Sequence, residues 1–388
     1  EKPRSNPQRL FDFFASYGLS VVLLLFLALL TLLGTLEQVD HGLYEVQKQY
    51  FESLFLVHWF WDAVPVPLPG VYLLLVLATV NLICGAVIRA RKGWRSIGIL
   101  IAHTGILILM LAAFISFKAS VRGHATLYEG ERTSEFQSYE EWEIAIEPVA
   151  PNTATKSYFI SEAEFAALEA GKKTVFSADG LPFELTLDGY AANSQPQQAG
   201  MGGADRRVVD GVSLLALASE REAEQNAPGV YASVSGPGAA AETVLWGLSQ
   251  APWVVQAEGG PWSIALRHRS WPLPFTVQLD KFTRELYPGT QMPKAFKSDV
   301  TRIDGDDRQQ AVISMNQPLR HKGYTLYQAS YGPSNAPPGT PMYSSLAVVR
   351  NPADQFPLYS CVIICFGLFI HFGQTLVGYL RAESRKRS

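Results

Sequence analysis

Four apolar stretches, each close to the twenty residues that a bilayer's hydrocarbon core demands, dominate this chain of 388 residues. They run roughly Tyr17–Leu36, Leu68–Ile88, Ile97–Phe117 and Leu358–Leu380. In hydrocarbon every backbone N–H and C=O must find a partner inside its own segment or a closed barrel, so stretches of this length predict spanning helices. The mean hydropathy of +0.07 conceals them, because it averages them with a long polar middle. The first stretch does not read as a cleavable signal: its apolar core is too long and no A-x-A-like site follows.

Basic residues set the expected orientation. Lys2, Arg4 and Arg9 precede the first stretch, Arg89, Arg91, Lys92 and Arg95 join the second to the third, and Arg381, Arg385, Lys386 and Arg387 follow the fourth. If the spans alternate, all three clusters fall on one side, the cytoplasmic one. The loop from Glu37 to Pro67 and the segment Lys118–Pro357 then lie outside, in a bacterium the periplasm of the inner (cytoplasmic) membrane. Three regions follow: 1–117 with an N-terminal cytoplasmic end and three helices, 118–357 as a periplasmic domain, and 358–388 as helix four with a basic cytoplasmic tail.

The three cysteines, Cys84, Cys361 and Cys365, all fall in apolar stretches. The long segment outside the membrane has none, so it cannot supply a thiol pair. Cys361 and Cys365 sit one helical turn apart, either as small apolar packers or as ligands. A net charge of −3 gives no reason to expect nucleic acid.

From Lys118 the apolar period changes from helical to alternating, the strand signature. Thirteen candidate strands run from His124–Tyr128 to Ser344–Val349, among them Trp142–Glu147, Ser263–Arg267, Thr276–Leu279 and Tyr324–Ser330. One helix is signalled at Glu162–Ala170, with Ser161 and Glu164 as a capping box and Gly171 at the C-cap. Ser194–Asp205 and Gln225–Gly229 read as exposed loops. The expected fold is a four-helix membrane protein with an all-β domain, an antiparallel sandwich or open barrel, inserted between helices three and four.

Of seven histidines, two lie within spans. His103 lies roughly 9 Å and His371 roughly 13 Å from the cytoplasmic ends of their helices, at 1.5 Å per residue. An ionisable side chain in hydrocarbon usually marks an ion path, a proton relay or a ligand site. Thr104 and Gly105 beside His103 are small enough to admit another helix or a flat cofactor. Protohaem held by two imidazoles suits that setting; a histidine bonded to a neighbouring helix is the plainer alternative for each. His58-Trp59-Phe60-Trp61-Asp62 reads either as an interfacial aromatic belt or, through Trp59 and Trp61, as a surface for a porphyrin or partner. Arg267-His268-Arg269 reads as a solvated strand end or headgroup contact. No hydrolase, nucleotide or metal-cage pattern is present.

Further residues carry a resemblance. Asn316-Gln317-Pro318-Leu319-Arg320, Lys322-Gly323-Tyr324, Tyr327-Gln328-Ala329-Ser330-Tyr331 and Leu346 to Pro352, running into the last span, resemble the ResB (CcsB) family of system II cytochrome c biogenesis. Asn81 to Cys84, Gly98 to Gly105 and the turn Tyr128-Glu129-Gly130-Glu131 agree, while 150–290 carries no matching motif. The resemblance implies a subunit of a holocytochrome c synthase (haem lyase) complex, a non-catalytic or half-site one. It implies haem b as transported substrate, with His103 as an axial ligand to the iron. The implied partners are a CcsA/ResC-type membrane protein, apocytochrome c, thiol-reducing proteins of the ResA and CcdA kind, and membrane lipid. His371 has no counterpart in the resemblance. Two other readings stay open on residues alone: a b-type electron-transfer subunit ligated by His103 and His371, and a haem-free scaffold within a larger membrane complex. The resemblance favours the synthase subunit over both.

Overall fold

The computed structural model describes residues 6–60, 63–90, 92–149, 156–170, 172–199, 207–290, 292–333 and 340–387. The chain divides into two compact units, one of 1–121 with 351–388 and one of 122–350.

In the first unit, a short helix α1 (Asn6–Phe14) leads into α2 (Tyr17–Val46), whose start is capped by Ser16: its Oγ accepts from the Leu19 N–H at 3.1 Å. Gly42, at φ +73°, breaks α2 near its end. The chain then passes through a π-helical turn, Gln47–Phe51, into a hairpin of Phe55–Phe60 with Val64–Pro69. Helix α3 (Val71–Leu82) follows and continues as a π-helix over Ile83–Ile88; α4 is Ile97–Ala119. Four helices, the last being Phe356–Arg387, are long and apolar enough to cross a membrane.

Two expectations are corrected here. The second span begins at Val71 rather than Leu68, and the preceding proline-rich link is a strand. Its alternating Pro65, Pro67 and Pro69 lack N–H groups, so it pairs on one side only, as an edge strand must.

Helix α2 packs on α3 through Leu23, Leu30, Val71 and Leu74, and Asn81 pins the same pair. Its side chain accepts from Ser20 Oγ at 2.6 Å and donates to the carbonyls of Phe14 (2.7 Å) and Ser16 (3.2 Å). Helix α4 packs on α3 and, through Gly98, Ala102 and Gly105, on the last helix.

The second unit is β-rich. A ten-stranded sheet has the order Asp307–Ser314, Pro293–Asp304, Gly260–Leu286, Arg132–Pro148, Val121–Tyr128, Tyr343–Arg350, Tyr324–Gly332, Leu319–His321, with Trp253–Ala257 and Tyr158–Ser161 pairing on the two long central strands. Contacts of Pro293–Asp304 and Asp307–Ser314 with Tyr324–Gly332 curl this sheet back on itself, closing over Phe136, Val277, Leu279, Val300, Leu326 and Leu346. A four-stranded sheet in the order Ala239–Trp246, Gly229–Gly236, Glu184–Ala191, Lys173–Phe176 covers the other end. There Ile144, Ile146 and Ile264 meet Leu185, Leu187 and Val230.

Several boundaries differ from the alternation pattern. Gly260–Leu286 is one strand of 27 residues spanning two expected ones, since register shifts after His268 and Pro272 let it bend without ending. The helix α5 (Glu162–Phe165) carries the expected capping box but tightens to a 3₁₀ turn over Ala166–Ala170; Gly171 lies outside the described residues. Ser194–Gln198 is a strand paired with Val212–Ala216, not a loop, while 200–206 lie outside the described residues. In the other expected loop, Gln225 closes a 3₁₀ turn and Gly229 opens a strand. The last helix, Phe356–Arg387, is α6.

Candidate functional site

On α4 the small residues and the histidine part company. Gly98, Ala102 and Gly105 form the stripe against α6, where an added β-carbon on Gly98 would meet the His371 nitrogen at 2.6 Å. His103 lies about 140° round the helix from Gly98, at 100° per residue. His371 therefore packs its backbone into the α4–α6 seam while His103 points to another neighbour, and the structure does not bring the two imidazoles to one face.

That neighbour is α3. Phe117 of α4 stacks against Tyr72 with ring centroids 5.7 Å apart, and Met110 Sδ accepts from Thr79 Oγ1 at 3.7 Å. These pairs step by one heptad on each helix in opposite directions, as antiparallel neighbours do. Beyond Met110, α4 also packs on the π-helical stretch Ile83–Ile88. Such a turn widens a helix locally and is frequent at functional sites. Gly85 in it faces Ala15, 3.4 Å from where a β-carbon would stand, and its neighbours Cys84 and Ala86 are small.

The imidazole itself is oriented by its own helix. Nδ1 lies 2.8 Å from the Ile99 carbonyl oxygen; a carbonyl only accepts, so Nδ1 is the donor, and in the neutral ring Nε2 is then the nitrogen with a lone pair. His103 is partly exposed. A neutral imidazole with one nitrogen bonded to a backbone carbonyl and the other free is the arrangement in which histidine ligates metals. Its donor set fits one axial position of a haem iron. Among the described residues no group of three His, Cys, Asp or Glu side chains is placed to hold a metal ion.

Other expected residues fall elsewhere. Trp59 is 55% exposed on the outer face of the hairpin, alternating with buried Leu56 and His58; Trp61 and Asp62 lie outside the described residues. His58 turns inward, its Nδ1 2.5 Å from the hydroxyl of the fully buried Tyr50 and 3.8 Å from Glu37, whose other oxygen meets His41 at 3.2 Å. Nothing in the spacing signalled that cluster, because Glu37 and His41 lie before the break at Gly42 and Tyr50 and His58 after it. Cys361 and Cys365 are exposed on α6.

The Arg267-His268-Arg269 run is not a strand end. It sits inside the 27-residue strand, with Arg267 bonded to Glu143 at 3.2 Å and Arg269 to Glu141 at 2.8 Å. His268 stacks on Trp142 with centroids 3.8 Å apart and meets His124 at 6.3 Å. The Nδ1 atoms of both are buried without a hydrogen-bond partner among the described residues. Burial holds both imidazoles below their ordinary value, His268 at about 4.

The motif residues mostly build the fold. Gln328 closes a buried network with Ser298 (2.6 Å) and Ser344 (2.9 Å). Asn351 Oδ1 accepts from Ser116 Oγ at 3.1 Å and from the Ala353 N–H at 2.9 Å. In the Tyr128–Glu131 turn, Glu129 accepts from the Phe282 N–H and Gly130 N–H donates to the Leu279 carbonyl.

Comparison with known proteins agrees with the resemblance. Residues 238–338 match the model of the ResB-like family. Cytochrome c biogenesis protein CcsB of a Synechococcus strain is 41% identical over 58 residues, 14% of this chain and 13% of that protein. Protein NrfI of Wolinella succinogenes is 36% identical over 62 residues, 16% of this chain and 7% of that protein. The matched segments thus span less than a seventh of either relative.

Proposed function

We propose that this chain is the ResB-type membrane subunit of a cytochrome c synthase, and that His103 lends an axial imidazole to haem carried as cargo across the bilayer. The observation that carries the reading is the bond of His103 Nδ1–H to the Ile99 carbonyl inside a span, which leaves Nε2 as the nitrogen turned to a ligand. Support also comes from the ResB-like segment and from the similarity to a cytochrome c biogenesis protein, CcsB.

In this reading the basic helix ends face the cytoplasm and the β domain faces the periplasm of a bacterial inner membrane. Haem b supplies the iron that takes the imidazole and the vinyl groups to which apocytochrome CxxCH thiols add, sulfur and hydrogen across each C=C. The chain's own residues do something narrower. His103 presents a lone pair at a set depth, the apolar helix faces exclude water, and the β domain holds apocytochrome or shapes the outlet. A CcsA/ResC-type partner supplies the opposite ligand and the attachment site, with ResA- or CcdA-like proteins keeping the thiols reduced. Trp59, turned outward on the hairpin, meets that partner or the headgroup layer.

The test compares the purified complex of wild type with His103→Ala and His103→Gly. Haem content and cytochrome c maturation are expected to fall together with protein level and thermal midpoint unchanged. Unchanged haem and maturation in both variants would overturn the reading.

A further inference from the structure

Where the basic helix ends gather, an open cavity of about 640 Å³ lies between Trp94–Arg95 and the C-terminal half of α6. Its lining changes character along the helix. Phe369, Ile370 and Gly373 make an apolar inner end, and Arg381 and Arg385 a cationic outer one, joined from across the gap by Arg95. Eight residues separate Gly373 from Arg381, about 12 Å at 1.5 Å per residue. No aspartate or glutamate lines the cavity; the nearby Glu383 is paired with Arg387 at 3.4 Å.

Two further features bear on what enters. Gly373 and Gly378 have nothing within 4 Å of where a β-carbon would stand, so the track along α6 is open. Gln374 donates from Nε2 to the Trp94 carbonyl at 2.9 Å, which fixes the two walls.

We infer that this cavity binds one anionic glycerophospholipid, of the phosphatidylglycerol type. The phosphodiester sits between Arg95 and Arg381, and an acyl chain lies along Gly373 towards Phe369. The polarity gradient argues against a free anion, which has no use for the apolar end. Basic pockets between helices at a membrane surface take anionic headgroups on these grounds. The inference stands independently of the haem reading, since it uses the α6 face of the bundle and His103 faces α3.

Native mass spectrometry of the full chain in mild detergent tests it, with dioleoyl phosphatidylglycerol and dioleoyl phosphatidylcholine as competing probes. Phosphatidylglycerol adducts are expected to dominate and to weaken about tenfold in the Arg95→Gln/Arg381→Gln variant, each cation contributing to the headgroup attraction. Gly373→Phe, which keeps every charge but fills the track, is expected to weaken them as well, and glycerol 1-phosphate alone is expected to compete poorly. Equal retention of both lipids, adducts unaffected by either variant, or displacement by glycerol 1-phosphate would overturn the inference. Displacement by ferric protoporphyrin, sensitive to the same arginines, would reassign the cavity to haem carboxylates and overturn it too. The thermal midpoint of each variant separates lost binding from lost folding.

Discussion

A β-carbon built on Gly98 would lie 2.7 Å from the carbonyl oxygen of Gly367, so the backbones of α4 and α6 touch where they cross. The atoms met are backbone and cannot swing aside. Gly98→Ala is therefore expected to destabilise the helical unit by about 1–3 kcal/mol, the usual range for overpacking. Gly378→Ala, with open space around it, is expected to stay within about 0.5 kcal/mol. Unfolding of both variants in mixed micelles checks the contrast.

The π-helical stretch that packs on α4 gives a second prediction. Ala86→Phe places a ring in it, leaving His103 and its bond to Ile99 intact. Haem content of the purified complex is expected to fall several-fold while Ala86→Ser stays near wild type. Equal haem in both variants would remove the π turn from the site.

Asn81 makes three hydrogen bonds that hold the entrance to α2 against α3. Polar contacts within membranes average about 0.6 kcal/mol each, so Asn81→Leu is expected to cost about 1–2 kcal/mol in total. The readout is faster proteolysis near Phe14–Ser16 together with a lower unfolding midpoint, and Ser20→Ala is expected to lose roughly a third of that.

The stacked pair of His268 and Trp142 makes the β domain acid-sensitive. His268 is held at about 4 against an ordinary 6.5 by burial and by the neighbouring His124, whose own value burial also lowers. The unfolded chain then binds more protons than the folded one across that interval, so stability is fully present above pH 6.5 and falls as pH drops from 6.5 towards 4. Near-UV circular dichroism of the full chain during thermal unfolding is expected to show the midpoint falling through that window, less steeply in His268→Gln. A flat profile in both proteins would mean that the pair is hydrated rather than buried.

What the sequence disclosed follows from the range of each interaction. The four apolar stretches and the capping box of Ser161 and Glu164 are local patterns and were legible, with the second span starting at Val71 rather than Leu68 and the first helix running on to Val46. Register shifts are tertiary events, so the single strand through His268 and Pro272 read as separate pieces. The proline-rich strand was hidden because an edge strand needs no donor on its open side. At the candidate site, His103 was conspicuous by burial cost alone, and its heptad with Met110 and Phe117 was legible in principle. The companion face was not, since a π turn in Ile83–Ile88 leaves no compositional mark. His371 looked equivalent by depth, but depth ignores the angle around a helix, and that angle assigns it to the glycine seam.

The seam of Gly98, Ala102 and Gly105 with Gly367 also sets a timetable. Helix α4 leaves the ribosome with roughly 240 residues still to be made before α6, which at about 5–20 residues per second is a delay on the order of ten to fifty seconds. During that time its small-residue stripe has only lipid against it, and glycine and alanine are side chains that lipid tolerates without penalty. The β strands between must be synthesised, and both ends of their segment held near each other, before the seam can close. Closure of the seam thus waits for the whole β domain, and a chain stalled within it would keep an open groove along α4.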